Sequence, residues 1–199
     1  MYNSALLPTK ARVLLASNSP RRRQLLAMIL PDYGLAEMHD IDESYPSTLP
    51  AEQVPAYLSQ LKSRAYAHQL VPDEIIITAD TVVINEGKIL GKPHSAQEAV
   101  DMLKSLMGKT HTVVTGVTLA SLHNSLTFSE KTNVTFATLS EPEIRAYVET
   151  YSPLDKAGSY GIQEWIGCAA ITGIEGCFYN VMGLPMHSLY THLRNFKYQ

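Results

Sequence analysis

The stretch EIIITADTVVI, residues 74–84, opens with Glu74 and places a second carboxylate, Asp80, inside a run of mostly β-branched residues. The three consecutive isoleucines at 75–77 are typical of a strand buried on both faces. We predict a strand over Glu74–Thr78 that leads directly into Asp80, so that Asp80 sits at the strand end. A charge in such surroundings is costly. At the mouth of a cleft it could take a proton from water or hold a metal, or it could simply cap a turn.

Upstream of this stretch, the pattern predicts a strand, a loop and a helix. Val13–Ala16 is a short apolar run that breaks at Ser17–Pro20, after which apolar residues recur at helical spacing. Ser19 suits the N-cap, and Pro20 suits the first helical position, which has no intrahelical N–H partner to lose. A second helix is predicted from about Ala51 to Leu70, where apolar residues form a stripe.

Downstream, the pattern mixes hairpins and helices. We predict a hairpin of Val82–Ile84 with Lys88–Leu90, a helix from Ser95 to about Met107, long antiparallel strands at His111–Leu122 and Leu126–Leu139, a helix from Ser140 to about Thr150, and a C-terminal helix starting near Pro185. Six glycines between 158 and 183 imply short strands and tight turns. Because the order is not strictly alternating, we expect an α/β fold with a mixed sheet and helices packed against it.

Composition limits the class of protein. With 199 residues and 45% hydrophobic content, the chain fits one domain, residues 1–199. A net charge of -3 offers no basic field for a nucleic acid polymer. Cys168 and Cys177 lack zinc-site spacing, so we expect buried or free thiols in a reducing compartment. Residues 1–20 show no cleavable leader and no stretch could span a membrane, so we expect a cytoplasmic protein. The oligomeric state is open, a homodimer included.

The segment Ser17–Arg23 has the composition of an anion-binding site. It places two serine hydroxyls, a helix N-terminus and three guanidinium groups within about a turn and a half. Free N–H groups and the helix dipole attract phosphate, and arginine supplies bidentate donors. The alternative is a capped helix with solvated arginines. Three cations at a helix N-terminus oppose the dipole, which favours the phosphate-binding interpretation.

Other charged residues carry weaker local signals. Lys92 follows a glycine and could neutralise a phosphate as a point charge, although an isolated lysine is more often solvated. Asp42 and Glu43 are ordinary surface acids unless the fold carries them to Asp80, where they would serve as metal ligands. The seven histidines are scattered without a pair at helical metal-binding spacing, so we assign them structural roles.

Seven segments, spread over nearly the whole chain, form an ordered set. They are LASNSPRR (15–22), ADTVV (79–83), GKP (91–93), GKTH (108–111), TGV (115–117), DKAGSYGIQ (155–163) and NVMGLP (180–185). Together they closely resemble the Maf family of nucleoside triphosphate pyrophosphatases. The resemblance implies a mixed, curved sheet with two lobes around a central cleft that holds the substrate. It also implies hydrolysis between the α and β phosphates, assisted by Mg²⁺ or Mn²⁺.

The resemblance also implies roles for individual residues. Ser17, Arg21 and Arg22 match the phosphate-binding loop, Lys62 the helix lysine and Lys92 the cleft lysine, while Glu43 and Asp80 match acids that would lie near the metal. Asp80 matches the catalytic acid and would deprotonate the attacking water. In this interpretation the remaining residues control charge and position, as phosphoryl chemistry usually requires.

Three positions bear on base preference. Arg21, Thr81 and Gln163 resemble the branch of the family that acts on dTTP and UTP, whereas a branch acting on 7-methyl-GTP tends to carry an aromatic residue at the first and Glu at the third. The Gln163 amide can both donate to and accept from a pyrimidine edge, while an ionised Glu only accepts. The implied substrates are dTTP and UTP. The resemblance leaves open whether modified pyrimidine nucleotides are substrates as well. The alternatives are a 7-methyl-GTP pyrophosphatase and a nucleotide-binding regulator of septum formation in cell division.

Overall fold

The computed structural model describes residues 6–199 of the chain. The strands within this range form a mixed β-sheet. The strands are β1 (Arg12–Leu15), β2 (Gly34–Leu35), β3 (Glu74–Asn85), β4 (Lys88–Leu90), β5 (Thr110–Ala120), β6 (Ser125–Phe136) and β7 (Ile171–Glu175). Their order is β2-β1-β3-β5-β6-β7, and β4 also pairs with β3. β1 is parallel to β2 and β3, whereas the β3–β4 and β6–β7 pairs are antiparallel. The predicted α/β fold with a mixed sheet is confirmed.

Helices connect most of these strands. They are α1 (Pro20–Ala27), α2 (Val54–Arg64), α3 (Ala96–Leu106), α4 (Glu141–Tyr151), α5 (Trp165–Ala170), α6 (Phe178–Met182) and α7 (Met186–Asn195), with short 3-10 segments at Ala51–Gln53, Pro153–Asp155 and Ala157–Ser159. The predicted N-caps are confirmed: Ser19 and Ser95 accept from backbone N–H groups of the first turn, and Ser140 forms a capping box with Glu143. Within residues 6–199, no helix is long and apolar enough to cross a membrane. The expectation about a leader rests partly on residues 1–5, outside the described residues.

Residue contacts divide the chain into two compact units. Of the described residues, unit 1 contains 6–80, Thr115–Glu130 and Gly183–Gln199, and unit 2 contains Thr81–Val114 and Lys131–Met182. The assignment of residues 1–199 to a single domain stays a prediction, as does the cleft.

A buried histidine lies in the core of unit 2. His111 Nε2 is 2.7 Å from the Tyr160 hydroxyl, and the His111 ring meets the rings of Tyr160 and Phe136 edge-on. Burial lowers the pKa of His111 to about 4, so the imidazole is neutral at physiological pH. His111 therefore has the structural role expected of it.

The prediction that Asp80 sits at a strand end is wrong. β3 is one continuous strand from Glu74 to Asn85, and Asp80 lies near its middle. The residues after Asp80 are β-branched and extend the strand instead of turning the chain. What changes along β3 is the partner, because β1 pairs with Glu74 to Ile77 and β4 with Val83 to Asn85. The hairpin predicted with β4 is confirmed.

The second predicted helix is too long at its C-terminal end. α2 stops at Arg64, and the chain continues to residue 69 in turns. There the amides of Ala65 and Tyr66 donate to carbonyls three residues earlier, the tightened pattern common at helix ends. This tightening accompanies the burial of Tyr66 against Leu70.

Between residues 158 and 183 the prediction of short strands and tight turns is confirmed in part, since Gly158, Gly176 and Gly183 have positive φ angles. This stretch contains one strand, β7, and two short helices, α5 and α6. Gly167 lies inside α5, where a Cβ would come within 1.8 Å of the Ile162 carbonyl oxygen. This glycine serves close packing of backbone on backbone instead of a turn.

Another glycine fixes the approach of α2 to β5. A Cβ at Gly116 would lie 2.3 Å from the backbone of Pro55 and Ala56. Nearby, the Ser59 hydroxyl pairs with the Thr118 hydroxyl at 2.9 Å. The position of α2 therefore requires a glycine, which has no side chain, at residue 116.

We expect Gly116→Ala to destabilise the protein by about 2–4 kcal/mol, because the added methyl group forces α2 away from the sheet. Urea unfolding measures the change. Gly91→Ala is the matched control, since nothing lies within 4 Å of its Cβ, and it should change the free energy of unfolding by less than about 0.5 kcal/mol. Equal stability of the two variants would contradict the role assigned to Gly116.

Candidate active site

The site begins where β3 runs past the end of its parallel partner. On the β1 side of β3, the Ala16 amide donates a hydrogen bond to the Ile77 carbonyl at 2.9 Å. The chain then leaves the sheet at Ser17. Along a strand, alternate carbonyls face the same edge, so the Ala79 carbonyl faces the edge that β1 has left. Arg22 Nη1 donates to that oxygen at 2.9 Å, and Arg22 Nε donates to the Gly183 carbonyl at 2.8 Å.

The loop before α1 is held by its own side chains. Ser17 is buried, and its hydroxyl oxygen accepts from the Ser19 amide at 3.2 Å. Arg23 Nε donates to the Ser17 carbonyl at 3.1 Å. Two of the three arginines predicted to bind phosphate thus donate to backbone carbonyls, Arg22 across the fold and Arg23 within the loop.

Helix α2 brings a lysine to Asp80. The Thr78 hydroxyl donates to the Ser59 carbonyl at 2.7 Å, which fixes α2 along β3. Lys62 follows Ser59 by about one helical turn, and Asp80 follows Thr78 by two strand residues. Each therefore lies on the same side of its element as the anchoring residue, and the two side chains meet.

The meeting point is a cluster of three charges within unit 1. Lys62 Nζ lies 2.8 Å from Asp80 Oδ1 and 2.9 Å from Glu43 Oε2. The side chains of Lys62 and Asp80 are 17% and 15% exposed, whereas that of Glu43 is 53% exposed. The fold therefore does carry Glu43 to Asp80, the condition for treating it as more than a surface acid.

Arg22 senses the same charges. Its burial lowers the pKa of the Arg22 guanidinium; Asp80 acts in the opposite direction, Arg21 lowers the pKa further, and Glu43 raises it. The group stays charged at neutral pH, since arginine is not deprotonated in proteins. Arg21, Arg22, Glu43, Lys62 and Asp80 thus form one electrostatic group beside the start of α1.

The carboxylates of Glu43 and Asp80 fit a hard divalent cation. They supply oxygen ligands and already converge on one ammonium group. Within residues 6–199, no group of three or more His, Cys, Asp or Glu side chains could hold a metal ion. Water and substrate phosphate oxygens would have to complete the shell, which is the usual arrangement for Mg²⁺.

Three further predicted residues belong to unit 2. Thr81 is half-buried in β3, Lys92 is exposed after β4, and Gln163 is exposed in the turn before α5. The Gln163 amide nitrogen lies 2.9 Å from where a Cβ on Gly161 would stand. Gly161 therefore leaves room for the Gln163 side chain to lie against the backbone of its own turn.

An ionic network that sequence reasoning missed supports the Gln163 turn. Lys156, only 8% exposed, lies 3.2 Å from Glu164 Oε1. The Tyr147 hydroxyl donates to Glu164 Oε2 and accepts from the Gly161 amide at 3.1 Å. The available signal was the segment at 155–163, which carries Lys156 among small residues.

A mixed sheet with a carboxylate pair, an ammonium and two guanidinium groups at a helix start defines an α/β protein with a highly charged site. The chain belongs to the Maf family, since the family model for Maf-like proteins matches residues 12–196.

Relatives that bear an enzyme name match almost the whole chain. A protein of Phocaeicola vulgatus named dTTP/UTP pyrophosphatase is 50% identical over 185 residues, 93% of this chain and 96% of the relative. A protein of the same name from Porphyromonas gingivalis is 50% identical over 189 residues, 94% and 95% of the two chains. Among solved structures, the Staphylococcus aureus Ham1 protein aligns with 63% of this chain and 72% of its own, at 17% identity and a TM-score of 0.47.

We expect Arg22→Gln to lower the free energy of unfolding by about 1–3 kcal/mol, because two backbone carbonyls lose their donor. Thermal or urea denaturation measures it. Arg64→Gln is the matched control: Arg64 is exposed on α2 and contacts Gln60 Oε1 at 3.3 Å, so its loss should cost under about 0.5 kcal/mol. If Arg22→Gln were as stable as this control, the guanidinium would not be a structural tie.

Proposed function

We propose that this chain is a nucleoside triphosphate pyrophosphatase that hydrolyses dTTP and UTP to the nucleoside monophosphate and pyrophosphate. The observation that carries the proposal is the ammonium of Lys62 held between Glu43 and Asp80, beside the arginine-rich start of α1. Relatives about 50% identical over more than 90% of both chains bear the name dTTP/UTP pyrophosphatase. Both cysteines are free thiols, as expected for an enzyme of the cytoplasm.

The cations take different roles. Arg22 is tied to two carbonyls, so it acts chiefly by holding the backbone next to Asp80 and by adding positive potential. Arg21 lies at the first turn of α1, where the helix dipole also favours phosphate. We assign direct phosphate contact to Arg21 and Lys62, with Ser17 shaping the loop, and the phosphate role of Lys92 stays a prediction.

Asp80 is the group we assign to proton transfer. A water molecule loses a proton to the Asp80 carboxylate as its oxygen bonds to the α-phosphorus. The bond from that phosphorus to the bridging oxygen breaks, and pyrophosphate leaves with the electron pair. Glu43 and Asp80 would hold Mg²⁺ or Mn²⁺, which when bound supplies charge neutralisation at the phosphoryl oxygens.

Chromatography of the products tests the reaction class. Purified protein with dTTP or UTP and Mg²⁺ or Mn²⁺ should yield monophosphate and pyrophosphate in equal amounts, with activity lost on exhaustive chelation. Diphosphate with orthophosphate would mean cleavage at the wrong bond. Tight nucleotide binding without any turnover would favour the regulatory alternative instead.

Asp80→Asn tests the proton acceptor. The amide keeps the shape of the side chain but not its basicity, so kcat should fall by roughly 100-fold or more with saturating metal. Asp101→Asn is the control, since Asp101 is exposed on α3 in contact with Gln97 and should leave kcat unchanged. Near-normal turnover of Asp80→Asn would end the assignment.

Base choice rests on Gln163. Its amide offers both a donor and an acceptor to the carbonyl, N–H, carbonyl edge of uracil or thymine. The competing role is purely local, since the side chain lies against its own turn beside Gly161. A measurement of selectivity separates the two, because a local role affects stability and not the ratio between substrates.

We expect Gln163→Glu to cut the preference for UTP over 7-methyl-GTP by roughly tenfold to a hundredfold while sparing the chemical step, since one or two hydrogen bonds to the base are lost. The quantity to compare is the ratio of kcat/KM values for the two substrates in both proteins. Gln97→Glu, on the exposed face of α3, is the charge-matched control. An unchanged ratio in Gln163→Glu would show that another residue reads the base.

A further inference from the structure

The three-charge cluster of unit 1 has the geometry of a cation site that already contains a cation. Lys62 Nζ contacts one oxygen of Asp80 at 2.8 Å and one of Glu43 at 2.9 Å. The Asp80 and Glu43 oxygens are therefore no farther apart than the sum of these two distances. A divalent metal shared by the same oxygens would need the space that the ammonium group holds.

We propose that Lys62 is an internal counter-cation that excludes divalent metal from Glu43 and Asp80 until a triphosphate draws its ammonium away. The inference rests on the proposed function, because it takes the substrate to be a triphosphate and these carboxylates to be the metal ligands. It assigns Lys62 a second role: besides meeting phosphate, it makes metal binding conditional on nucleotide.

The charge balance of the nucleotide-free site supports this exclusion. The charges of Asp80, Glu43 and Arg21 all lie near enough to Arg22 to influence the pKa of its guanidinium. With Lys62 in place, the three cations of this group outnumber its two carboxylates, so an arriving divalent ion meets a net positive charge. A triphosphate brings several negative charges and reverses that balance.

The Lys62 ammonium can also move more readily than the Arg22 guanidinium. Arg22 is tied to two backbone carbonyls at 2.8 and 2.9 Å, whereas the Lys62 ammonium is carried on a flexible four-carbon stem in the last turn of α2. Its partner Glu43 is half-exposed and can adjust with it. The carboxylates can therefore exchange an ammonium for a metal without a change in the backbone.

The ligand count points the same way. The described part of the chain, residues 6–199, offers no third acid, histidine or cysteine beside this carboxylate pair. Phosphate oxygens of the substrate would complete the metal shell. Nucleotide thus both removes the competing ammonium and supplies the missing ligands.

Calorimetric titration of the nucleotide-free, full-length protein with Mn²⁺ tests the proposal. Lys62→Met and Lys62→Gln should each bind Mn²⁺ at least about tenfold more tightly than the wild type, since a like charge is removed from within a few ångströms of the metal. Adding Asp80→Asn to either variant should abolish the gain. Circular dichroism verifies folding, and the polar Gln variant decides if the Met variant is unfolded.

Lys109→Met is the matched control, because it breaks an exposed ion pair of 2.8 Å with Glu86 and should leave Mn²⁺ affinity unchanged. Wild-type affinity in both Lys62 variants, or a gain that survives Asp80→Asn, would overturn the proposal. A second result would also overturn it. In that case the nucleotide-free wild type binds Mn²⁺ as tightly as the Lys62 variants do, and Asp80→Asn abolishes this binding. Pyrophosphate release is assayed separately, so failure of the proposed function is distinguishable from failure of this inference.

Discussion

The hydrogen bond from Arg22 to the Ala79 carbonyl supplies a donor that the sheet does not provide. Every buried backbone carbonyl needs a donor, and β3 continues after β1 has left its edge at Ser17. The turn that ends β1 also starts α1, whose first turn carries the guanidinium that supplies the donor. Asp80, the next residue along β3, is thereby held beside a helix N-terminus and its cations. The site is a consequence of two parallel strands of unequal length.

The Lys62 cluster is poorly explained as a stabilising feature. Partly buried charges lose hydration, and the attraction between them repays that loss only when the geometry and further hydrogen bonds are good. One of the partners, Glu43, is half-exposed, so its contact with Lys62 is screened by solvent. A cluster that contributes little to folding, yet brings three charges to one point, is better explained by what it binds. Local sequence rules broken at such a point are typical of functional sites.

Features that depend on sequence neighbours were predictable. Ser19 and Ser140 are N-caps because side chain and accepting turn lie within three residues, and the β3–β4 hairpin follows from its two-residue turn. The contact of Lys62 with Asp80 was not predictable, because it depends on the hydrogen bond between Thr78 and Ser59 that positions α2 along β3. Gly167 was misread for the same reason: its neighbour, the Ile162 carbonyl, is known only once α5 is placed. The resemblance to the Maf family supplied the grouping of distant residues that local chemistry could not.

The second hydrogen bond of Arg22 has a consequence for the order of events during synthesis. Its acceptor, the Gly183 carbonyl, lies 161 residues further along the chain. Unit 1 is likewise completed only by its last segment, Gly183–Gln199. A ribosome must therefore extend the chain to residue 183 before this hydrogen bond can form beside Asp80. An incomplete chain released early would carry most of the charged residues of the site, but not the contact that fixes Arg22 among them.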